Sequence, residues 1–519
     1  MSGRDVSRGK PFRTRGLLAS GIGGVVAVAL GLAGPAPASP EAPPFTPESS
    51  PRAMPPPDSV DASSFPDLER WVQRYVEEGG RTVGMVAAVL GPEGTEMAAA
   101  GRARGDLRPT PETLFELGSV TKVFTSLLLA ELAAEGLVEL DTPIGSLVRE
   151  GTELTPQVAE ITLLELSTHT SGLPRIPGGR ALIPFIVRPG DPYRGSTKDD
   201  LYRVIERLGE DDVRTRGTWR YSNLGPALLA HLLEEAAGAP WEELLQDRVV
   251  EPLGLEGTSV GAPPGTDRAM AQGHRENLRS TRPWRMDAYA PSGGMVSNLS
   301  DMVRFLEAVM EAEEGPLAET TRAAGSRTAG LGWVLQEEGG RRTIWHDGRT
   351  GGFYAFVGFD PEAGRGVVVL SNTSHDGNDF SLGLLHQEPE VAPIRVGWLP
   401  LTVTAALLIF SPLIVLDTAA REDERAEAEV KPKGRIHLLD GALTGLLFLA
   451  FAWKVGAWQV VSFGVWWLAV LLTLASLAWS LREWRGRPWW VSGARGRNLR
   501  AGLSLALVSA LFAWALWLF

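Results

Sequence analysis

The chain has 519 residues, of which 22% are charged, and its formal net charge is −12. This length exceeds the usual size of one domain, so we expect a sizeable folded core and at least one further region. The acidic balance argues against a nucleic-acid-binding surface. Because the sequence contains no cysteine, disulfides, thiol nucleophiles, thiolate zinc sites and lipidated cysteines are excluded, and any catalytic group must be an oxygen or a nitrogen.

The N-terminal segment has the pattern of an export signal. Basic residues between Arg4 and Arg15 precede an apolar stretch at 17–32 and the small-x-small triplet Ala36-Pro37-Ala38. This pattern predicts a secretory signal peptide over residues 1–38. An uncleaved signal anchor is the alternative, because the apolar stretch is only slightly shorter than the ~20 residues that span a bilayer. Residues 39–64 are rich in Pro, Ser, Ala and Glu, which predicts a disordered linker.

Residues 65–390 have the patterns of a mixed α/β (α+β) domain. Thr82–Leu90 and Thr95–Ala103 are typical of a strand hairpin, and Val120–Gly136 has apolar residues at helical spacing. Further helices are predicted at 198–208, 225–237 and 300–311, and further strands at 342–345, 353–359 and 366–371. Strands at both ends predict an antiparallel sheet flanked by helices and closed by its terminal segments, with an inserted all-helical lobe. The active site is then expected between the two lobes.

Residues 396–519 are predicted to form a membrane domain with four transmembrane helices. The apolar segments are 396–416, 438–458, 460–481 and 499–519, each long enough to cross ~30 Å of hydrocarbon as a helix. Buried helices of a soluble protein are the alternative, although four such lengths in succession would overfill a globular core. No charged residue stands at the centre of a predicted span, which disfavours a transporter.

The charges between the spans predict an orientation. Basic residues stand between the first two spans and between the last two: Arg421, Arg425, Lys431, Lys433, Arg435, and then Arg482, Arg485, Arg487, Arg495, Arg497, Arg500. By the positive-inside rule both loops are cytoplasmic. We therefore expect a multi-pass protein of the cell membrane with residues 39–395 on the extracytoplasmic side, periplasmic or extracellular. The predicted signal peptide gives the same side.

The first candidate motif for chemistry is Ser119-x-x-Lys122, at the start of the apolar-periodic helix. Residues three apart share a helix face, so the Lys122 amine can reach the Ser119 hydroxyl. The helix N-terminus also favours the negative charge that develops during attack. A capping serine beside a solvated lysine is the alternative for this motif alone.

Two further motifs supply the other parts that acyl transfer needs. Tyr221-Ser222-Asn223 precedes an apolar helix, and His346 to Gly352 stands where a predicted strand ends in a glycine-rich turn. Lys122 and Tyr221 could share removal of the serine proton if each pKa is lowered by the other or by burial. Asn223 would hold a substrate carbonyl or amide, and Gly348 permits close approach of backbone N–H groups. His346 would bind a substrate carboxylate when protonated, or steady the Tyr221 phenol when neutral.

Taken together, these segments resemble the class C β-lactamase and D-alanyl-D-alanine carboxypeptidase superfamily, which includes esterases. The matching segments are Thr113–Lys122, Thr162–Pro174, Tyr221–Asn223 and the His346 turn, and the resemblance covers approximately residues 65–385. It implies a serine β-lactamase-like fold in which Ser119 is acylated and Lys122 with Tyr221 handles the proton. It further implies that Asn223 positions the substrate and that the oxyanion hole consists of the Ser119 and Arg349 N–H groups. No metal or cofactor is expected.

One departure from the superfamily bears on the substrate. Many of its β-lactamases and transpeptidases carry lysine where this chain has His346, and histidine is only partly charged near neutral pH. We therefore expect a small-molecule or peptidoglycan-type ester or D-amino-acid peptide as substrate rather than an antibiotic. A non-enzymatic sensor, acylated on Ser119 and signalling through the spans, is the alternative. His169, His274 and His375 lack metal-ligand spacing and are interpreted as ordinary polar or buried histidines.

Overall fold

The computed structural model describes residues 68–79, 82–175, 191–266, 268–326, 328–391, 398–419, 434–458, 461–490 and 499–509. The predicted signal peptide and linker, residues 1–64, lie outside the described residues and stay predictions.

A six-stranded antiparallel sheet forms the centre of the domain, in the order β2-β1-β9-β8-β7-β6. Its strands are β1 (Gly84–Gly91), β2 (Gly94–Gly101), β6 (Val334–Glu338), β7 (Arg341–Arg349), β8 (Tyr354–Asp360) and β9 (Arg365–Ser371). Strands from opposite ends of the domain pair at its middle, where Met85 of β1 faces Ser371 of β9. The predicted antiparallel sheet closed by terminal segments is confirmed.

Helices cover both faces of this sheet. The central strands β1, β8 and β9 are therefore buried on both sides. On one face lie α1 (Leu68–Glu77) and a C-terminal helix of the domain (Asn378–Leu385), whose rings Tyr75 and Phe380 stack 4.2 Å apart. Neither helix was predicted. The opposite face packs against the inserted helices, which form the larger hydrophobic core.

The inserted lobe is mainly helical, as predicted. In chain order its helices are α2 (Thr121–Ala134), α3 (Pro156–Ala159), α4 (Leu163–Ser167), α5 (Lys198–Ile205), α6 (Leu224–Ala237), α7 (Trp241–Leu245), α8 (Leu299–Glu311) and α9 (Gly315–Thr320). Asn378–Leu385 follows them as α10. A three-stranded sheet of β3 (Phe115–Glu116), β5 (Met295–Ser297) and β4 (Ser259–Val260) joins this lobe to the segment before α2.

Strand β7 is longer than predicted. The prediction ended it at Trp345, but pairing with β8 continues through Gly348↔Ala355 to Arg349↔Tyr354. His346 therefore lies inside a strand and not in a turn. Pairing with β8 gives hydrogen bonds to backbone N–H and C=O groups that a glycine-rich turn would have left unpaired.

Three long apolar helices follow the domain: α11 (Trp398–Ala419), α12 (Arg435–Val455) and α13 (Phe463–Trp484). All three are long and apolar enough to cross a membrane. Ser411 Oγ donates to the Gly445 carbonyl and lies 2.8 Å from Thr473 Oγ1, so polar contacts connect the three helices. Of the fourth predicted span, the structure describes the shorter apolar helix Leu499–Ser509, and residues 510–519 lie outside the described residues.

Candidate active site

Ser119 and Lys122 meet at the N-terminal end of α2, as their spacing predicts. Gly118, with φ of +52°, opens a short 3-10 turn that leads into α2 at Thr121. Lys122 Nζ lies 2.8 Å from Ser119 Oγ and donates to the Ser292 carbonyl oxygen at 2.5 Å. The lysine side chain is 1% exposed, which excludes the solvated lysine of the alternative interpretation.

The environment of Lys122 favours its neutral amine. Burial lowers its pKa well below 10.5, and the positive charge of Arg175 lowers it further, while Asp347 acts in the opposite direction. A neutral amine next to a hydroxyl is the form that can accept a proton. The predicted lowering of this pKa by burial therefore agrees with the structure.

Tyr221 completes a three-membered contact around the serine. Its Oη lies 2.5 Å from Ser119 Oγ, and Lys122 Nζ lies 5.0 Å from the centre of its ring. Burial raises the pKa of Tyr221 above its ordinary value. The condition for shared proton removal, a lowered pKa for each group, is therefore met by Lys122 and not by Tyr221, because desolvation disfavours a phenolate as it disfavours an ammonium. The phenol therefore stays protonated and can donate.

His169 holds the position of the Tyr221 ring. The imidazole lies 4.6 Å from that ring, and its Nδ1 accepts a hydrogen bond from the Ser222 N–H at 3.3 Å. The His169 carbonyl accepts from the Arg220 N–H, and the residue has a φ of +59°. Burial keeps the His169 pKa well below 6.5, and the positive charge of Arg175 lowers it further. The expected buried histidine is thus next to the site, within the Thr162–Pro174 segment that carries the resemblance.

Asn223 is fixed by a residue that the sequence analysis missed. Its Nδ2 donates to the Tyr193 hydroxyl at 2.8 Å, and its buried Oδ1 has no hydrogen-bond partner within the described residues. Tyr193 packs against the rings of Trp284 and Tyr289. No spacing pattern indicates Tyr193, because its contact with Asn223 depends only on the tertiary fold. The free amide oxygen is an acceptor for a substrate N–H.

His346 is buried on the strand side of the site. It is 4% exposed, and its Nδ1–H donates to the Asp347 carbonyl at 2.6 Å. Burial and the nearby Lys122 lower its pKa to about 3. The imidazole is therefore neutral at any ordinary pH. Of its two predicted roles, the protonated carboxylate receptor does not match this environment.

Gly348 brings β7 into contact with the serine turn. A methyl group on Gly348 would overlap the Leu117 carbonyl oxygen and lie 2.8 Å from the Ser119 nitrogen, and one on Gly118 would lie 2.7 Å from the Arg349 nitrogen. Only glycine permits this approach of two backbones. It brings the backbone of Ser119 close to that of Arg349, the two residues whose N–H groups the resemblance assigns to the oxyanion hole.

The comparisons with known proteins concern the family and the fold of the chain. A family model described as Beta-lactamase matches residues 68–387. The D-alanyl-D-alanine-carboxypeptidase/endopeptidase AmpH of Escherichia coli K12 is 27% identical over 360 residues, covering 62% of this chain and 91% of that protein. The β-lactamase of the same strain is 29% identical over 310 residues, covering 51% of this chain and 77% of that protein. The crystal structure of a class C β-lactamase from Rhodobacter sphaeroides superimposes with a TM-score of 0.53 at 20% identity, covering 62% of this chain and 98% of that one.

Proposed function

Because the chain belongs to the beta-lactamase family, we propose that it is a serine hydrolase that cleaves an ester or a D-amino-acid peptide through an acyl-enzyme on Ser119. The observation that carries this proposal is the pair of contacts at one oxygen. Ser119 Oγ lies 2.8 Å from the Lys122 amine and 2.5 Å from the Tyr221 phenol. A hydroxyl is a weak nucleophile unless a base takes its proton, and here the base is within hydrogen-bond distance.

The proposed acylation step uses these groups in fixed roles. Neutral Lys122 accepts the Ser119 proton while Oγ bonds to the acyl carbon, and the carbonyl electron pair moves onto oxygen between the Ser119 and Arg349 N–H groups. As the tetrahedral intermediate collapses, the bond to the leaving group breaks. The leaving alcohol or amine takes a proton from the Tyr221 phenol, which recovers one from the Lys122 ammonium. Water then repeats the sequence and releases the acid.

The substrate class rests on the neutral His346. A buried imidazole supplies no permanent positive charge at the place where many relatives carry lysine, which disfavours efficient hydrolysis of β-lactam antibiotics. Asn223, with its free amide oxygen, suits a substrate that carries an N–H, as a peptide does. The name of the Escherichia coli relative, a D-alanyl-D-alanine carboxypeptidase and endopeptidase, supports the same class.

The proposed location is the outer face of a cell membrane, with the chain anchored by its C-terminal helices. Three helices long and apolar enough to cross a membrane support the anchoring. The basic residues between the predicted spans support an extracytoplasmic hydrolase domain. Labelling of intact cells with a membrane-impermeant fluorophosphonate tests whether the hydrolase domain is extracytoplasmic. Labelling that occurs only after lysis would contradict this location.

The acyl-enzyme is tested by intact-mass measurement of the full-length protein after incubation with a fluorophosphonate and, separately, with a penicillin. We expect a stoichiometric fluorophosphonate adduct that is lost in Ser119→Ala and kept in the control Ser146→Ala. An adduct that survives in Ser119→Ala would move the nucleophile elsewhere. Steady-state turnover of a chromogenic short-chain ester separates an enzyme from a sensor, since a sensor gives a single stoichiometric burst.

A further inference from the structure

A basic loop of the hydrolase domain lies against one end of the C-terminal apolar helices. Residues 274–285, which we call the arginine loop, contain four arginines and one acidic residue, in a chain whose net charge is −12. The guanidinium carbon of Arg279 lies 3.4 Å from the centre of the Trp453 ring, near the end of α12. The loop is therefore in contact with a helix that is long and apolar enough to cross a membrane.

Tryptophan rings mark this end of the apolar helices as the level of a membrane interface. The ring of Trp453 lies 4.7 Å from that of Trp466, which lies 4.9 Å from the ring of Trp467. Tryptophan is enriched where the hydrocarbon meets the lipid headgroups. The Ala457 N–H donates to Thr404 Oγ1, so this end is also the one at which the chain enters α11 from the hydrolase domain. The arginine loop is thus at the level of the headgroups on that side.

Three arginines of the loop form no ion pair within the described part of the chain: Arg275, Arg279 and Arg282. The fourth, Arg285, lies 3.9 Å from the Asp287 carboxylate. Arg275 and Arg279 are half-buried, and burial lowers the pKa of Arg279 to about 10, with the charge of Arg275 acting in the same direction. Both guanidinium groups stay charged near neutral pH. An anion from outside the chain would offset the cost of burying two like charges.

The arginine loop also borders the active site. A methyl group on Gly352, in the turn after β7, would lie 2.6 Å from the Thr281 Cγ2 atom. The Trp284 N–H donates to the carboxylate of Glu116 at 2.7 Å, in the strand that leads into the Ser119 turn. The loop therefore connects the end of α12 to the immediate surroundings of the active site.

We propose that Arg275, Arg279 and Arg282 bind the phosphate groups of anionic phospholipids, in the membrane leaflet on the side of the hydrolase domain. The inference rests on the proposed membrane anchoring and not on the hydrolase activity. A guanidinium binds a phosphate through paired hydrogen bonds, and arginines next to a membrane-spanning helix are attracted to the negative surface of an anionic leaflet. Because the loop borders the cleft, bound lipid would hold the active site at the membrane surface.

The test is hydrogen–deuterium exchange, read by mass spectrometry, on the full-length protein in nanodiscs of phosphatidylcholine alone or of an equal mixture with phosphatidylglycerol. We expect amide exchange in the arginine loop to slow by about threefold or more with phosphatidylglycerol, because bound lipid lowers the population of the open loop. In Arg275→Gln/Arg282→Gln the two compositions should give equal exchange. The charge-matched control Arg207→Gln/Arg214→Gln, at exposed positions of the helical lobe, should behave as wild type.

Two measurements on wild type do not depend on how the variant folds. Raising NaCl from about 50 mM to about 500 mM should abolish the slowing by phosphatidylglycerol, since salt screens exposed charges. Inorganic phosphate added to phosphatidylcholine nanodiscs should leave exchange in the loop unchanged. Slowing by phosphate alone would make this a site for a free anion and overturn the assignment to lipid.

Equal exchange in the two lipid compositions for wild type overturns the lipid site, as does a slowing that persists in Arg275→Gln/Arg282→Gln or at high salt. The fluorophosphonate adduct at Ser119, measured in the same nanodiscs, separates this failure from that of the hydrolase proposal. An adduct without a lipid effect leaves the hydrolase proposal intact, and a lipid effect without an adduct leaves the lipid site intact. A protein that does not incorporate into nanodiscs contradicts the anchoring and the lipid site together.

Discussion

The two sides of the cleft each bury a basic nitrogen, and they use it differently. On the helix side, Lys122 points its amine at the Ser119 hydroxyl and the Ser292 carbonyl. On the strand side, His346 gives its Nδ1–H to the carbonyl of the next residue. Burial lowers the pKa of both groups. Burial alone therefore produces a neutral base, and that base can take part in the proposed reaction only where a hydroxyl lies within hydrogen-bond distance, as at Lys122.

The largest effect in this comparison is expected for Lys122→Met, which keeps the buried volume and removes the base. We expect kcat to fall by about 10³-fold with little change in thermal stability, because a positioned proton acceptor contributes on that order. In wild type, activity should rise with pH as Lys122 loses its proton and level off above its lowered pKa. The control Lys198→Met changes an exposed lysine that pairs with Glu234. Near-normal turnover in Lys122→Met at neutral pH would refute the proton-transfer role.

Glu116, in the short strand β3 that precedes Ser119, is also buried but is an acid. Burial raises its pKa to about 7, and hydrogen bonds from the Thr350 side chain and from the backbone N–H of Trp284 act in the opposite direction. The folded state therefore holds this proton more tightly than the unfolded state. Its contribution to stability is complete below the unfolded pKa near 4.5 and is lost as the pH rises through 7.

We accordingly expect Glu116→Gln to gain stability relative to wild type as the pH rises, by about 3 kcal/mol between pH values well below and well above this range. Chemical denaturation at several pH values measures the difference. The exposed Glu243→Gln is the matched control and should show no such trend. A stability difference that does not change with pH would mean that Glu116 is not protonated in the fold.

The smallest effect is expected for His346→Gln. Since the His346 pKa is about 3, the imidazole gains no proton between about pH 5 and pH 8, and its loss removes packing rather than a charge. We expect kcat/KM to fall less than about tenfold, with the shape of the pH–rate profile unchanged. If the variant lost a titration step that wild type shows in this pH range, His346 would titrate in the folded protein and would not be the neutral group inferred from its burial.

How much of the fold the sequence predicts depends on the length of each pattern. The hairpin β1–β2 and helices α2, α6 and α8 were predicted because their apolar residues repeat over many positions. Helix α1 was missed although Leu68, Val72 and Tyr75 lie at helical spacing and are buried. The two-residue strands β3 and β4 are too short for any periodicity to reveal.

The contacts in the site were likewise predictable only where local geometry determines them. Ser119 and Lys122 are neighbours by local helix geometry, so their contact follows from spacing. Tyr221 comes from a distant part of the chain, so the sequence could single out its phenol as a candidate but could not place it against the Ser119 hydroxyl. The Asn223–Tyr193 contact and the neutral state of His346 depend on which side chains the fold brings together. No local pattern contains that information.

The pairing of β1 with β9 has a mechanical consequence. Because Met85 faces Ser371, the chain enters the first strand and leaves the last strand at the same end of the pair. Tension between the segments that flank the domain would break these hydrogen bonds one after another, in an unzipping geometry, rather than all together in shear. The residues between the two strands, which include the active site, would bear no tension until the hydrogen bonds between β1 and β9 had broken.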